Sequence, residues 1–479
     1  MFQSKPIQIL KTLQGPELRR LGEFLRSPIH NRTEKTLEVF ETLRRFHPEY
    51  DSPELERSRL FELLFPGEPW DEKKLRYLMT DLAKQLEEFL ILLETRKQKH
   101  WRQYLLLRSY KARRLDKYFL ATHKSASKSL ADDNLRDTNH HWITFKLEEI
   151  LFQFNISRKD HQRSTNLQQV VDSLDIHFLS NKLKYSCEIL NSRDWVNVDY
   201  ELFLLEEIRT YLEDRDLERY PSIAIYYQIM RTLTEPEEEG HYARLLELLE
   251  EHRESFNDSE VFDMYIYAKN YCIVKINRGH ADYTRQLFEF YRTILNNRII
   301  YKNGQLNQWD FKNIVTLGLR LDEFTWTGKF IEQYAPDLPI QDRDNAYSYN
   351  MANLEFSRAN YDRTMTLLQE VEFTDVYYHL DSKTLLLKTY YEKEEWDAMQ
   401  SLIEAFKIYL KRNKLIPAYQ RRVYGNLVYF ASKLLRARRG RKIDLGALLE
   451  EMDERKEIAN SEWLRLKVQS QLEDSSLSR

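Results

Sequence analysis

Glycine and proline are scarce in this chain, 11 and 12 among 479 residues. All-β folds consume both in their many tight turns, so this scarcity weighs against a sandwich or barrel. The two cysteines, Cys187 and Cys272, are too few and too far apart for a disulfide framework. They read as small buried hydrophobes of a reducing compartment. No uninterrupted run of about 18 apolar residues exists, so no membrane-spanning helix is expected. The start, Met1-Phe2-Gln3-Ser4-Lys5-Pro6-Ile7, lacks the apolar core of a secretory leader. The expected compartment is the cytoplasm.

Signatures of chemistry are missing as well. There is no Gly-rich phosphate loop, no nucleophile elbow, no His-Glu-x-x-His and no Cys-x-x-Cys. His140-His141 is the one adjacent His pair, and neighbouring helical residues point about 100° apart. It reads as a solvated or half-packed pair rather than a metal site. Asp132-Asp133, Glu148-Glu149 and Glu206-Glu207 suit solvated helix faces, with nothing tying them to a general base. The expectation is no catalytic residue, no cofactor and no metal: a protein that is not an enzyme.

What is present is helical periodicity. The chain is 42% hydrophobic and 31% charged, which argues against disorder. Tyr242, Leu245, Leu246, Leu249 and Phe256 fall on one helix side, as do Leu287, Phe288, Tyr291, Ile294 and Leu295. A long amphipathic helix is expected from Asp71 to about Glu94, with the stripe Leu75, Leu78, Leu82, Leu86, Phe89 and Leu93. Breakers such as Pro66-Gly67, Pro221, Gly279, Asn303-Gly304 and Pro417 separate the periodic runs. Ser52 before Pro53 suits a helix start, and Asn257 with Glu260 suits a capping box.

The helices recur in pairs. Asn350-Met351-Ala352-Asn353-Leu354-Glu355-Phe356 runs on through Asn360-Tyr361-Asp362. It resembles the first helix and turn of a tetratricopeptide repeat, with Ala352 as the small residue of close approach and Tyr361 opening the second helix. Glu394-Glu395-Trp396, Gly279-His280-Ala281, Leu321-Asp322-Glu323-Phe324 and Gly240-His241-Tyr242 resemble the same turn. With Tyr242, Ala281, Phe324, Tyr361 and Trp396 taken as equivalent, the spacings are 39, 43, 37 and 35, against about 34 in a regular unit. Leu245, Thr284, Thr327, Thr364 and Met399 stand where the family prefers Ala. The resemblance covers about 220–412 and implies an all-α fold: a right-handed helical-hairpin solenoid, tetratricopeptide-like (TPR-like). An N-terminal helical bundle (1–95), degenerate hairpins (96–220), TPR-like repeats (221–412) and a basic helix with capping helices (413–479) complete the expected order. Arg59 to Gly67, then Lys74 to Leu86, is similar to the short and long helices of DNA-binding winged-helix modules, though no alternating strand pair follows.

Charge is uneven. Residues 1–130 hold 26 Lys and Arg against 18 Asp and Glu, a surplus of 8. Arg96 to Lys117 has nine basic residues and one acid, and Lys407 to Lys442 has twelve and none. Asp199 to Asp263 holds nineteen acids against six bases. With 416–439 as one helix, Tyr419, Val423, Leu427, Phe430 and Leu434 form an apolar stripe. Arg421, Arg422, Lys433, Arg436 and Arg439 cluster opposite, with Tyr429 among them. A cationic face with an aromatic can hold phosphates and stack a base. A second basic patch comprises Arg102, Arg108, Lys111, Arg113 and Arg114, beside Trp101, Tyr104, Leu107 and Tyr118 read as core.

Two functions follow. The first is a non-catalytic scaffold presenting a groove to a protein partner, with first-helix aromatics such as Tyr226-Tyr227, Tyr265, Tyr267, Tyr347 and Tyr349, about half of them read as core and the rest as groove lining. The second is a nucleic-acid-associated or regulatory protein using the basic faces 96–117 and 407–442, with a helix-turn-helix-like N-terminal region. Homotypic association of the basic helix with the acidic 199–263 belt is a further expectation; a membrane is not.

Overall fold

A computed structural model describes residues 3–157, 166–192, 200–371, 376–455 and 457–473, with the last helix running on to Leu477. The fold is all-α. Among the described residues the one β pairing is an isolated bridge, Lys302 to Gln305, across the Asn303-Gly304 turn. No helix among them is long and apolar enough to cross a membrane. The chain forms two compact units, residues 1–185 with 203–224, and 186–202 with 225–479.

The first unit begins with α1 (Lys5–Thr12), α2 (Gly15–Arg26), α3 (Glu34–Arg44) and α4 (Arg57–Leu64), all packed on the long α5 (Glu72–Lys97). Asp71 caps α5 by accepting from the Lys74 N–H at 3.0 Å, and Arg96 and Lys97 meet the negative end of its dipole. All six residues of the expected stripe are buried. Ser52 accepts from the Glu54 N–H at 3.3 Å, as its place before Pro53 anticipates. α5 leads directly into α6 (Lys99–Ala112), with no strand between. Then follow α7 (Asp116–Ala131), α8 (Thr138–Ser157), α9 (Leu167–Ser192), α10 (Leu205–Leu212) and α11 (Pro221–Thr234), the last reaching into the second unit.

The second unit contains α12 (Glu239–His252), α13 (Asp258–Asn277), α14 (Asp282–Asn296), α15 (Gln308–Arg320), α16 (Phe324–Tyr334), α17 (Ile340–Ser357), α18 (Tyr361–Gln369), α19 (Val376–Glu392), α20 (Trp396–Arg412), α21 (Ala418–Arg438), α22 (Leu445–Arg455) and α23 (Ser461–Leu477). Each helix from α12 to α20 packs on its successor, α21 packs on α23, and α15, α17 and α19 also pack in sequence on one another. The unit thus has neighbouring helical pairs whose first helices share a layer, an arrangement compatible with a helical repeat.

One turn recurs. At Ala359 the backbone is left-handed (φ 59°), its N–H donates to Phe356 O at 2.9 Å, and the Asn360 N–H reaches back to Glu355 O at 2.8 Å. This doubly bonded closure satisfies the carbonyls a helix end leaves orphaned. The same two bonds close α6–α7 at Arg114, α13–α14 at Gly279, α15–α16 at Asp322, α19–α20 at Glu394 and α21–α22 at Gly440. Phe324, Tyr361 and Trp396 open their second helices as expected, whereas Ala281 stands one residue before its helix. Gly240-His241 is a correction: both lie inside α12, and the turn falls upstream around Pro236-Glu237. Ala352 and the Thr327, Thr364, Met399 and Leu245 positions are fully buried. At Gly318 a Cβ would lie 2.2 Å from Thr327 Oγ1, so glycine sets the approach of α15 and α16.

Candidate partner-binding surfaces

The basic helix forms as α21, but its cations are largely answered from other elements. Arg422 makes a two-pronged ion pair with Glu457. Tyr429 donates to Glu451 Oε1 at 2.9 Å and Lys433 Nζ to Oε2 at 2.7 Å, while Arg455 joins the same carboxylate at 2.8 Å. The Lys433 bond holds the Glu451 carboxyl below the usual carboxylate range. Arg439 pairs with Asp397. Arg421 donates to the Asn413 and Ile416 carbonyls, both at 3.1 Å, and so ties down the loop before its helix. Arg436 is exposed. The structure therefore brings Tyr429 and Lys433 together around Glu451 and distributes Arg421, Arg422 and Arg439 to separate partners. The signal that the linear reading missed is the acidic run Glu450-Glu451-Met452-Asp453-Glu454 just downstream. Of the expected apolar stripe, Leu427, Phe430 and Leu434 are buried, but Tyr419 is 54% exposed.

The second patch splits too. Arg108, Lys111 and Arg114 line a cavity of about 450 Å³ with Tyr104, Ile150, Gln153 and Ser157. Lys111 Nζ donates to Gln153 Oε1 at 2.9 Å, and burial lowers its pKa. Arg113 folds onto Ser109 of its own helix, and Arg102 is exposed outside that cavity. Tyr104 and Leu107 are core and Trp101 half-buried, but Tyr118 is exposed, against expectation. A larger cleft of about 1040 Å³ beside Trp101 and Trp142 mixes Lys97, Lys99 and Lys128 with Asp132 and Asp133, so its charge favours neither sign.

The acids of the 199–263 belt find many partners nearby; its first residue, Asp199, lies outside the described residues. Glu235 bonds Arg231 and His241, and Glu206 bonds Arg209. Glu237 pairs with Arg278 at 2.7 Å and with Lys275, whose side chain is 1% exposed. Asn257 caps α13 by accepting from the Glu260 N–H at 3.0 Å. The Glu260 carboxylate itself is buried and accepts from Tyr226 OH at 2.8 Å.

That last bond belongs to a series that sequence reasoning did not find. Tyr267 donates to Glu188 at 2.8 Å. Lys269 pairs with Asp310 at 2.9 Å, which also accepts from Tyr291. Lys312 of α15 pairs with Asp381 of α19, and Tyr424 of α21 donates to the same carboxylate at 2.6 Å. Carboxylates thus stitch first helix to first helix. Of the tyrosines expected to line a groove, Tyr226 and Tyr267 are tied inside by these bonds, Tyr227, Tyr265 and Tyr349 are buried as well, and Tyr347 is half-exposed. The aromatics left at the surface of this layer include Trp309, half-buried, and Tyr377, 38% exposed, with ring centroids 5.9 Å apart.

Chemistry elsewhere is quiet. His141 Nε2 lies 3.0 Å from Ser222 Oγ, and burial depresses the pKa of both His140 and His141 to about 4. Both cysteines are free and buried; Cys187 donates to Tyr226 O, and burial pushes both thiols up. Among the described residues no cluster of three His, Cys, Asp or Glu side chains could hold a metal. No family model, curated protein or solved structure matches the chain.

Proposed function

We propose that the chain is a non-catalytic, cytoplasmic scaffold: TPR-like hairpins stacked as a right-handed solenoid, behind an N-terminal helical bundle, docking a protein partner on their first-helix layer. The observation that supports this most is the Trp309–Tyr377 pair. It stands on α15 and α19 in front of the Lys312–Asp381–Tyr424 network, so two large aromatics are held at a surface by rigid neighbours. Trp and Tyr in such settings carry a disproportionate share of binding energy. The test is to isolate tagged full-length chain from its native cell beside a Trp309→Ala/Tyr377→Ala variant of matched melting temperature. A discrete protein retained by the first and reduced about tenfold by the second is expected. Equal retention by both ends the assignment of the site.

The nucleic-acid alternative keeps one local feature in its favour, the Arg108, Lys111 and Arg114 cluster. Its main face on α21 has less, because Arg422, Lys433 and Arg439 already answer carboxylates of the same chain. Several phosphate contacts would give a log–log salt slope of about 0.9 per contact on duplex DNA. A flat salt response excludes this alternative.

A further inference from the structure

Helix α9 buries mostly small side chains and displays several large ones. Ser173, Ser180 and Leu183 are buried, continuing to Ser186 and Cys187. Leu167, Val171, Leu174 and Phe178 are 48, 44, 43 and 44% exposed, and Tyr185 is 63% exposed. At about 100° per residue the exposed set lies within about 40° of one line, nearly opposite the buried set. Its steps of four, three, four and seven residues are the 3.5-residue repeat of a coiled-coil seam, with half-buried Asn181 at the one polar seam position. An apolar stripe over five turns, interrupted only at Asn181, marks a surface that is covered in use.

The charges beside the stripe say by what. Asp172 and Asp175 lie in the first half of the helix, Lys182 and Lys184 in the second. Asp175 and Lys182 are one heptad apart on the same flank. When two such helices run antiparallel, each flank meets its own copy, and Asp175 of one faces Lys182 of the other, twice, about a two-fold axis near Phe178. That register also sets Tyr185 against Leu174. Sliding by one heptad would oppose Asp175 to itself, and a parallel pair would set Asp175 beside Val170 rather than a cation. The charge pattern therefore selects one self-complementary arrangement.

We infer that the exposed stripe of α9 is a homodimer interface, in which a second copy of this chain packs antiparallel through Phe178 with reciprocal Asp175–Lys182 pairs. This goes beyond the scaffold reading and uses a different surface. Five side chains supply less than the roughly 800 Å² per partner of a standard interface. The dissociation constant is accordingly expected on the order of micromolar.

Sedimentation of the full chain between about 1 and 200 µM tests it. Wild type should pass from monomer to dimer. Phe178→Glu should raise the dissociation constant at least about tenfold. Asp175→Lys and Lys182→Asp should each weaken the dimer several-fold, and the double exchange should restore it to within about threefold of wild type. Asp175 and Phe178 are exposed and Lys182 is half-buried, and matched melting temperatures verify the folding of all four variants. A monomer throughout, an unaffected Phe178→Glu chain, or a double exchange no better than its singles would overturn the proposal. The Trp309–Tyr377 result would stand unchanged in each case.

Discussion

The interior around α5 and the interior of the hairpin layer are built on different principles. The first is hydrocarbon: Leu, Ile, Val and Phe from α1 to α5, with one fully buried Tyr50, its hydroxyl lacking a partner among the described residues and its pKa pushed to about 12 by burial. The second has hydrocarbon too, with Leu380, Leu387, Ile403 and Phe406 in its core, but it also sets charges among tyrosines: Glu260 with Tyr226, Asp310 with Lys269 and Tyr291, Asp381 with Lys312 and Tyr424. Apolar surfaces attract without direction and tolerate sliding. A stacked hairpin that slid one place would strand each lysine and carboxylate away from water, at a cost of several kcal/mol. The hydrocarbon core supplies stability; the polar pairs make the order of the hairpins unique.

Mutation of one side chain in each interior separates the two. The largest effect is expected from Phe89→Ala. The ring is 1% exposed and packs 5.5 Å from Phe24, so its loss leaves a cavity and should cost about 4 kcal/mol. Hydrogen exchange of α2 and α5 amides reads that loss. Asp381→Ala should cost about 3 kcal/mol, because it leaves Lys312 and the Tyr424 hydroxyl uncompensated. Asp381→Asn should cost less, since the amide oxygen still accepts from Tyr424. Urea unfolding that ranks Asn as costly as Ala would remove the distinction between the two interiors.

The same contrast explains what the sequence disclosed. The α5 stripe was legible because one apolar face meets one core, and the Ser52 and Asn257 caps because capping is local. The hairpin turns were half legible: Gly279 announces a left-handed residue, whereas Asp322, Ala359 and Glu394 adopt it because two backbone bonds impose it. The carboxylates that meet the cationic face of α21 were not legible because Glu451, Glu457 and Asp397 approach from 18 to 42 residues away, beyond any local window. Two of the groove tyrosines, Tyr226 and Tyr267, are buried for the same reason, their carboxylates arriving from other helices. The α9 stripe escaped notice because the buried face carries Ser173, Ser180 and Ser186, so burial does not follow the apolar side.

Acid probes a third interior, that of α8. His141 titrates near 4 in the fold through burial, then the neighbouring His140, against about 6.5 unfolded. Its folded pKa is depressed, so the unfolded chain binds the extra proton between these values. Stability is full above about pH 6.5 and falls as pH drops toward 4; at pH 5 one such group removes about 2 kcal/mol. His141→Gln, which keeps a polar partner for Ser222, should flatten the decline in melting temperature between about pH 7 and 5. An equal decline in the variant would place the sensitivity elsewhere.

The smallest expected effect compares two hairpins closed by the same bonds. Gly279 and Glu394 occupy equivalent left-handed positions, at φ 96° and 58°, and no neighbour lies within 4 Å of where a Gly279 Cβ would stand. For an L side chain this conformation costs roughly 1 to 2 kcal/mol, while glycine's looser unfolded chain offsets part of that. Glu394→Gly should therefore stabilise by about 0.5 kcal/mol, and Gly279→Ala should destabilise by about 1 kcal/mol. Opposite signs in urea unfolding would mean that the turn is set by its bonds and merely tolerates its residue. If Glu394→Gly destabilised instead, the exposed Glu394 side chain would be holding something that the backbone geometry does not reveal, and the two hairpins would be alike in shape only.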